Sequence, residues 1–181
     1  MGKLVVSNRY ATSFFKVGIE LEKVDSYYND LALIEDALKM DENLYKVLTH
    51  PRIIVSDKKE VVSQLFEKRV EKETLNFLFI IIDKKRSSEL TSIIKEFNRI
   101  YDEYKNVLNV LAVTAVELKE DEKEKLVKQL EELTKRNIKL EKEVDPSIIG
   151  GVILKTDSSI IDGSILKQLE DMKTGFKEEI I

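Results

Sequence analysis

Glycines ahead of a Lys-Thr pair can cradle phosphate, so chemistry is first sought at Gly150-Gly151-Val-Ile-Leu-Lys155-Thr156. The spacing excludes it. A phosphate loop needs glycine directly before the lysine and another five residues earlier, and those positions hold Leu154 and Ile149. The lysine would also sit within a strand instead of opening a helix. His50 is the single histidine, and the sequence points to no serine or cysteine partner for it. It reads as a helix-terminus residue ahead of Pro51. The absence of cysteine excludes disulfides, thiol nucleophiles and zinc–thiolate sites. The 34 acidic residues mostly alternate with lysines in helices, as in 119–128, which is the pattern of a solvated face. Asp145 and Asp162 flank glycine-containing turns and read as turn and cap residues. Lys84-Lys85-Arg86 is a basic cluster at a helix end, where cations suit the dipole; contact with an acidic partner is the other reading. No cofactor and no metal site is expected.

What remains is binding. The 181 residues are 43% hydrophobic and 35% charged, a globular composition with a highly charged surface. The net charge is −4 with both signs spread along the chain, which argues against nucleic acid as the partner. The longest apolar run, 77–82, falls short of the roughly 18 residues of a membrane span. The first residues lack the apolar core of a secretion signal. Tyr10, Phe14, Phe15 and the 77–82 run are core-type residues. A first helix apolar on more than one face can nevertheless serve both a core and a docked partner helix.

The elements that carry these residues follow from glycine and proline. No glycine occurs between Gly18 and Gly150, and the only prolines are Pro51 and Pro146. That predicts a helical first part. A first helix is expected from about Ser7 as N-cap, with Tyr10, Phe14, Val17 and Leu21 at helical spacing. Further helices are predicted over 26–39, 42–49 and after Ser56, the last with a capping box from Asp57 and Glu60. The 74–83 stretch reads as helix, because a lone strand among helices has nothing to pair with. A sixth helix after Ser87 and Ser88 carries the stripe Leu90, Ile93, Ile94, Phe97, Ile100, Tyr101 and Tyr104. Beyond Asn106 the valine-rich 107–118 reads as a strand. Then come a charged helix over 119–136 with Leu126, Leu130 and Leu133 on one face, and a strand with Ile138, Leu140 and Val144 inward. A strand over 151–156, a turn at Asp157-Ser158 and a return strand over 159–161 follow. A last helix is expected to bury Ile165, Leu169, Met172 and Phe176. The prediction is an α+β chain: an N-terminal six-helix bundle, residues 1–106, followed by a small mixed α/β C-terminal domain, residues 107–181.

Three motifs in order carry a family likeness: Val6-Ser-Asn-Arg-Tyr-Ala11, Asn76-Phe-Leu-Phe-Ile-Ile-Ile-Asp-Lys-Lys-Arg86, and Val144-Asp-Pro-Ser-Ile-Ile-Gly-Gly-Val-Ile-Leu154 followed by Ile161-Asp-Gly-Ser-Ile165. Together they resemble the delta subunit of bacterial F-type ATP synthase, the relative of the mitochondrial oligomycin-sensitivity-conferring protein, over essentially the whole chain. Asp157-Ser158 departs from the Gly-Asp common in that family's turn, and Lys85 stands where glycine is common before the arginine.

The resemblance implies a non-catalytic stator subunit that ties the catalytic head to the b-subunit peripheral stalk and resists rotor torque during proton-driven ATP synthesis. It implies a groove between the first and fifth helices that receives the N-terminal helix of an alpha subunit. Carried over, Tyr10, Ser13, Phe14 and Val17 line it from the first helix, with Leu78 and Ile82 as fifth-helix partners. The C-terminal domain is the implied contact for the C-terminal region of the b subunits. The implied location is peripheral, on the cytoplasmic side of the bacterial plasma membrane. A helical adaptor of an unrelated complex is the alternative from another class.

Overall fold

The computed structural model describes the backbone of residues 2–156 and 159–178, and the burial of 5–156 and 159–173. The chain is α+β and divides into two units, 1–101 and 102–181. The division falls inside the last turn of a helix, not after Asn106 as the composition break suggests. Asp102, the first residue of the second unit, accepts a 2.6 Å hydrogen bond from Asn109 Nδ2.

The first unit contains α1 (Gly2–Glu20), α2 (Val24–Met40), α3 (Glu42–Thr49), α4 (Val55–Phe66), α5 (Lys72–Asp83) and α6 (Leu90–Tyr104), with a 3-10 turn at Ser87–Glu89 leading into α6. All of these helices contribute to one apolar core. Its centre is aromatic: the Phe14 ring stacks on Phe77 at 4.1 Å and on Tyr27 at 4.7 Å, and meets Phe97 at 5.6 Å. Two predicted helix starts are corrected. Ser7 is no N-cap, because α1 already runs from Gly2 and the Ser7 side chain points into the core. Likewise α4 begins at Val55 after Ile54, so Asp57 sits in the first turn, where a carboxylate favours the dipole, and no capping box forms.

The start of α5 is held from another helix. Its N-cap residue Glu71 offers no side-chain cap. Instead the buried Asp30 of α2 reaches across, its Oδ2 accepting from the Glu71 N–H at 2.9 Å and the Thr74 hydroxyl at 2.7 Å. One carboxylate thus satisfies the open end of α5 and locks its position against α2. Asp30→Ala removes two charge-assisted bonds and strands the buried Thr74 hydroxyl. The expected cost is about 3 kcal/mol, measurable by urea unfolding, with Asp30→Asn recovering part of it.

The second unit contains β1 (Val107–Thr114), α7 (Glu120–Thr134), β2 (Asn137–Val144), β3 (Val152–Lys155), β4 (Ile160–Asp162) and α8 (Ile165–Glu178). The sheet order is β2-β1-β3-β4. Strands β1 and β2 are parallel, joined by the α7 crossover, whereas β3 pairs antiparallel with both β1 and β4. The central β1 is the most buried strand, with Val110, Ala112, Val113 and Thr114 inside. On α7, Leu126 and Leu130 are half-buried but Leu133, placed inward by the sequence pattern, is exposed. The α8 stripe is corrected as well: Ile165, Leu169 and Met172 are all exposed. The Asp157-Ser158 turn and the Phe176 side chain lie outside the described residues.

The two glycine motifs are one structural device. Gly151 has φ +80, and a Cβ there would lie 2.3 Å from the Gly163 carbonyl oxygen. Close approach lets the Gly163 N–H donate to Val152 O and the Ile165 N–H to Gly150 O. Ser164 then caps α8 by accepting from the Lys167 N–H at 3.1 Å. Hydrogen bonding from Ser164 to the Asp162 carboxylate holds that acid below the usual aspartate range. With the folded pKa depressed, its contribution is present above the unfolded value and is lost as pH falls through the folded one.

Candidate docking groove

Helices α1 and α5 run antiparallel. Lys23, just past the end of α1, reaches Glu71 at 2.6 Å and Glu73 at 3.8 Å, at the start of α5. The stacked Phe14 and Phe77 rings hold the two helices together and form the floor of an open groove on their outer side. Its volume is about 510 Å³. From α1 it is lined by Arg9, Tyr10, Ser13, Phe14 and Val17, and from α5 by Glu73, Asn76, Phe77, Ile80 and Lys84. The middle of the groove is apolar. The antiparallel arrangement places Arg9 and Lys84 towards one end and Glu73 towards the other, so the ends have opposite charge.

The four α1 residues inferred from the sequence all line this groove. The two α5 residues do not. Leu78 is 2% exposed and Ile82 4% exposed, and both face the core. A helix turns about 100° per residue, so Leu78 and Ile82 share the inner face with Ile81. The groove side belongs to Asn76, Phe77 and Ile80, the last of them 49% exposed. Helix α5 is apolar nearly all round, so its hydrophobic pattern does not set its phase. The few polar positions do. Glu73, Asn76 and Lys84 mark the outward stripe, and Ile80 lies four residues beyond Asn76 on it.

The second unit has an apolar surface of its own. Ile165, Leu169 and Met172 stand at helical spacing along α8, all exposed, and Ile160 and Ile161 of β4 are exposed too. Among the described residues, no group of three or more His, Asp or Glu side chains is placed to hold a metal ion, and no helix is long and apolar enough to cross a membrane.

The groove is aromatic-floored and apolar between charged ends, and it holds no group of side chains arranged for catalysis. The comparisons give the family. The family described as "ATP synthase delta (OSCP) subunit" matches residues 6–176. ATP synthase subunit delta of Clostridium botulinum (strain Langeland) is 36% identical over 168 residues, 93% of this chain and 94% of that one. The subunit delta of Alkaliphilus oremlandii is 35% identical over 169 residues with the same coverage. Among solved structures, a chain of the Toxoplasma gondii mitochondrial ATP synthase hexamer shares the fold, with TM-score 0.78 at 20% identity over 94% of this chain and 96% of that one. The chain belongs to the ATP synthase delta (OSCP) subunit family. It is a non-catalytic stator subunit of the ATP synthase, serving ATP synthesis and the coupled ion transport as a structural part.

Proposed function

We propose that this chain links the catalytic alpha–beta head to the b-subunit peripheral stalk, on the cytoplasmic side of a bacterial plasma membrane, and so resists rotor torque. The first unit, the six-helix bundle, takes the N-terminal helix of an alpha subunit into the α1/α5 groove. The carrying observation is that Tyr10, Phe14, Phe77 and Ile80 offer one continuous apolar strip between two charged ends. An amphipathic helix docks there by its apolar face. Its acidic residues lie toward Arg9 and Lys84 and its basic ones toward Glu73. A synthetic alpha N-terminal peptide titrated into the full chain tests this by calorimetry. Saturable binding at one site is expected, with Tyr10→Asp weakening it. Equal binding by the Tyr10 variant and the parent rejects the groove as the site.

The second unit takes the C-terminal region of the b subunits against α8. Support comes from Ile165, Leu169 and Met172, which stand at helical spacing on α8 and are all exposed. Leu169→Asp is expected to leave the melting temperature unchanged and to weaken capture of a b-subunit fragment at least about tenfold, since a carboxylate in an apolar contact is desolvated without a partner. Unchanged capture removes α8 from the interface.

A further inference from the structure

We infer, on the reading that the α1/α5 groove takes the alpha N-terminal helix, that Glu73 sets the groove's specificity: its carboxylate receives one basic side chain of the docked helix. The middle of the groove is apolar and accepts the apolar face of any amphipathic helix. Discrimination between such helices therefore falls to the charged ends.

At the Glu73 end, acceptors outnumber donors. The carboxylates of Asp30, Glu71 and Glu73 gather at the start of α5, and among the described residues Lys23 is the one cation paired there. Lys23 is committed to Glu71. Its Nζ donates to Glu71 Oε2 at 2.6 Å but stands 3.8 Å from Glu73 Oε2, too far for a hydrogen bond. Asp30 Oδ2 is committed as well, to the Glu71 N–H and the Thr74 hydroxyl. Glu73 Oε2 is left buried with no hydrogen-bond partner among the described residues. The hydroxyl of Tyr27, a residue with 0% exposure, is in the same condition. The two groups feel each other: burial pushes the Tyr27 hydroxyl above the usual tyrosine range, and the Glu73 charge raises it further. Leaving such groups unpaired costs free energy, and a donor carried by a partner relieves it. The Glu73 side chain is 34% exposed and lines the groove, so it meets the docked helix directly.

The surplus of carboxylates selects a cation over a neutral donor. An ammonium or a guanidinium brings several N–H groups and no acceptor, whereas an amide would satisfy one oxygen and leave the charge uncompensated. The other end has the opposite need. Arg9 and Lys84 line it, and neither forms an ion pair among the described residues. Glu73 and Lys84 stand about three helical turns apart along α5, about 16 Å. The groove thus fits a helix that carries a base and an acid about three turns apart, with its apolar face between them. A helix with the same apolar face and acids at both ends meets Glu73 with like charge and is rejected.

A double-mutant cycle on the full chain tests this, using the synthetic alpha N-terminal peptide and versions of it in which each basic residue is replaced in turn by glutamine. Glu73→Gln is expected to weaken docking about fivefold, and so is one of the peptide replacements. The two together should weaken it no more than either alone, because they break the same contact. Glu73→Gln keeps the side chain's shape at a partly exposed position and should melt as the parent does. Glu71→Gln is the control: it removes an equal charge from the same end but not from the groove wall, and should change docking less than about twofold. Losses that add, a Glu73 variant that docks as the parent does, or equal losses for the Glu71 and Glu73 variants would overturn the role of Glu73 while leaving docking in the groove intact. A parent chain that fails to bind the peptide, or a Tyr10→Asp variant that binds as the parent does, would overturn the docking reading and the role of Glu73 with it.

Discussion

Phe14→Ala is expected to destabilise the first unit by about 3–5 kcal/mol, the range for truncating a buried aromatic. Phe14 is 4% exposed and touches the rings of Tyr27, Phe77 and Phe97, so it joins α1 to α2, α5 and α6 at once. Its neighbours cannot collapse onto the vacancy without moving a helix. For a unit of about 100 residues, each kcal/mol moves the melting temperature by about 4–8 °C, so the first unit's transition should fall by on the order of 15 °C or more. Calorimetry on the full chain reads this directly. Peptide docking should fall with it, because the same ring forms the groove floor. A loss below about 1 kcal/mol would show that the ring is not part of a close-packed core.

The fold was legible where pattern and composition agree. The predicted α6 stripe is buried from Leu90 to Phe97, half-buried at Ile100 and Tyr101 and exposed at Tyr104, and the order of helices and strands in the second unit follows from the return of glycine and β-branched alternation. Helix ends were less legible, for physical reasons. Ser7 has the chemistry of a cap, but a serine facing a core looks identical in sequence. The true cap of α5 is Asp30, 41 residues before the Glu71 N–H that it accepts from, and no local window connects them.

The candidate site was half legible for a similar reason. On α1, Tyr10, Ser13, Phe14 and Val17 were carried over from the family resemblance, and all four line the groove. On α5, six successive apolar residues hide the phase: Leu78 and Ile82 face the core, the buried Phe77 forms the groove floor, and Ile80 is the half-exposed residue on the groove side. The stripe on α8 shows the converse. Periodicity says that Ile165, Leu169 and Met172 share a face but not what covers that face. Within this chain they are exposed. An amphipathic helix can bury its stripe in its own domain or in a partner, and the two options have one sequence pattern.

Ile80→Asp is expected to leave the first unit folded and to weaken alpha-peptide docking by more than about 2 kcal/mol, roughly thirtyfold. Ile80 is half-exposed at the centre of the groove wall, so a carboxylate there stays hydrated in the free protein. Docking would bury that charge against an apolar helix face with no partner, which adds desolvation to the lost contact. The adjacent Ile81 provides the control. It is 1% exposed, and Ile81→Asp should unfold the first unit outright, since the charge then lies in the core. Peptide titration beside a thermal melt separates the outcomes. A melting temperature that collapses for both variants would place Ile80 in the core. An Ile80 variant that melts and docks as the parent does would exclude α5 from the interface, leaving α1 alone to hold the partner helix.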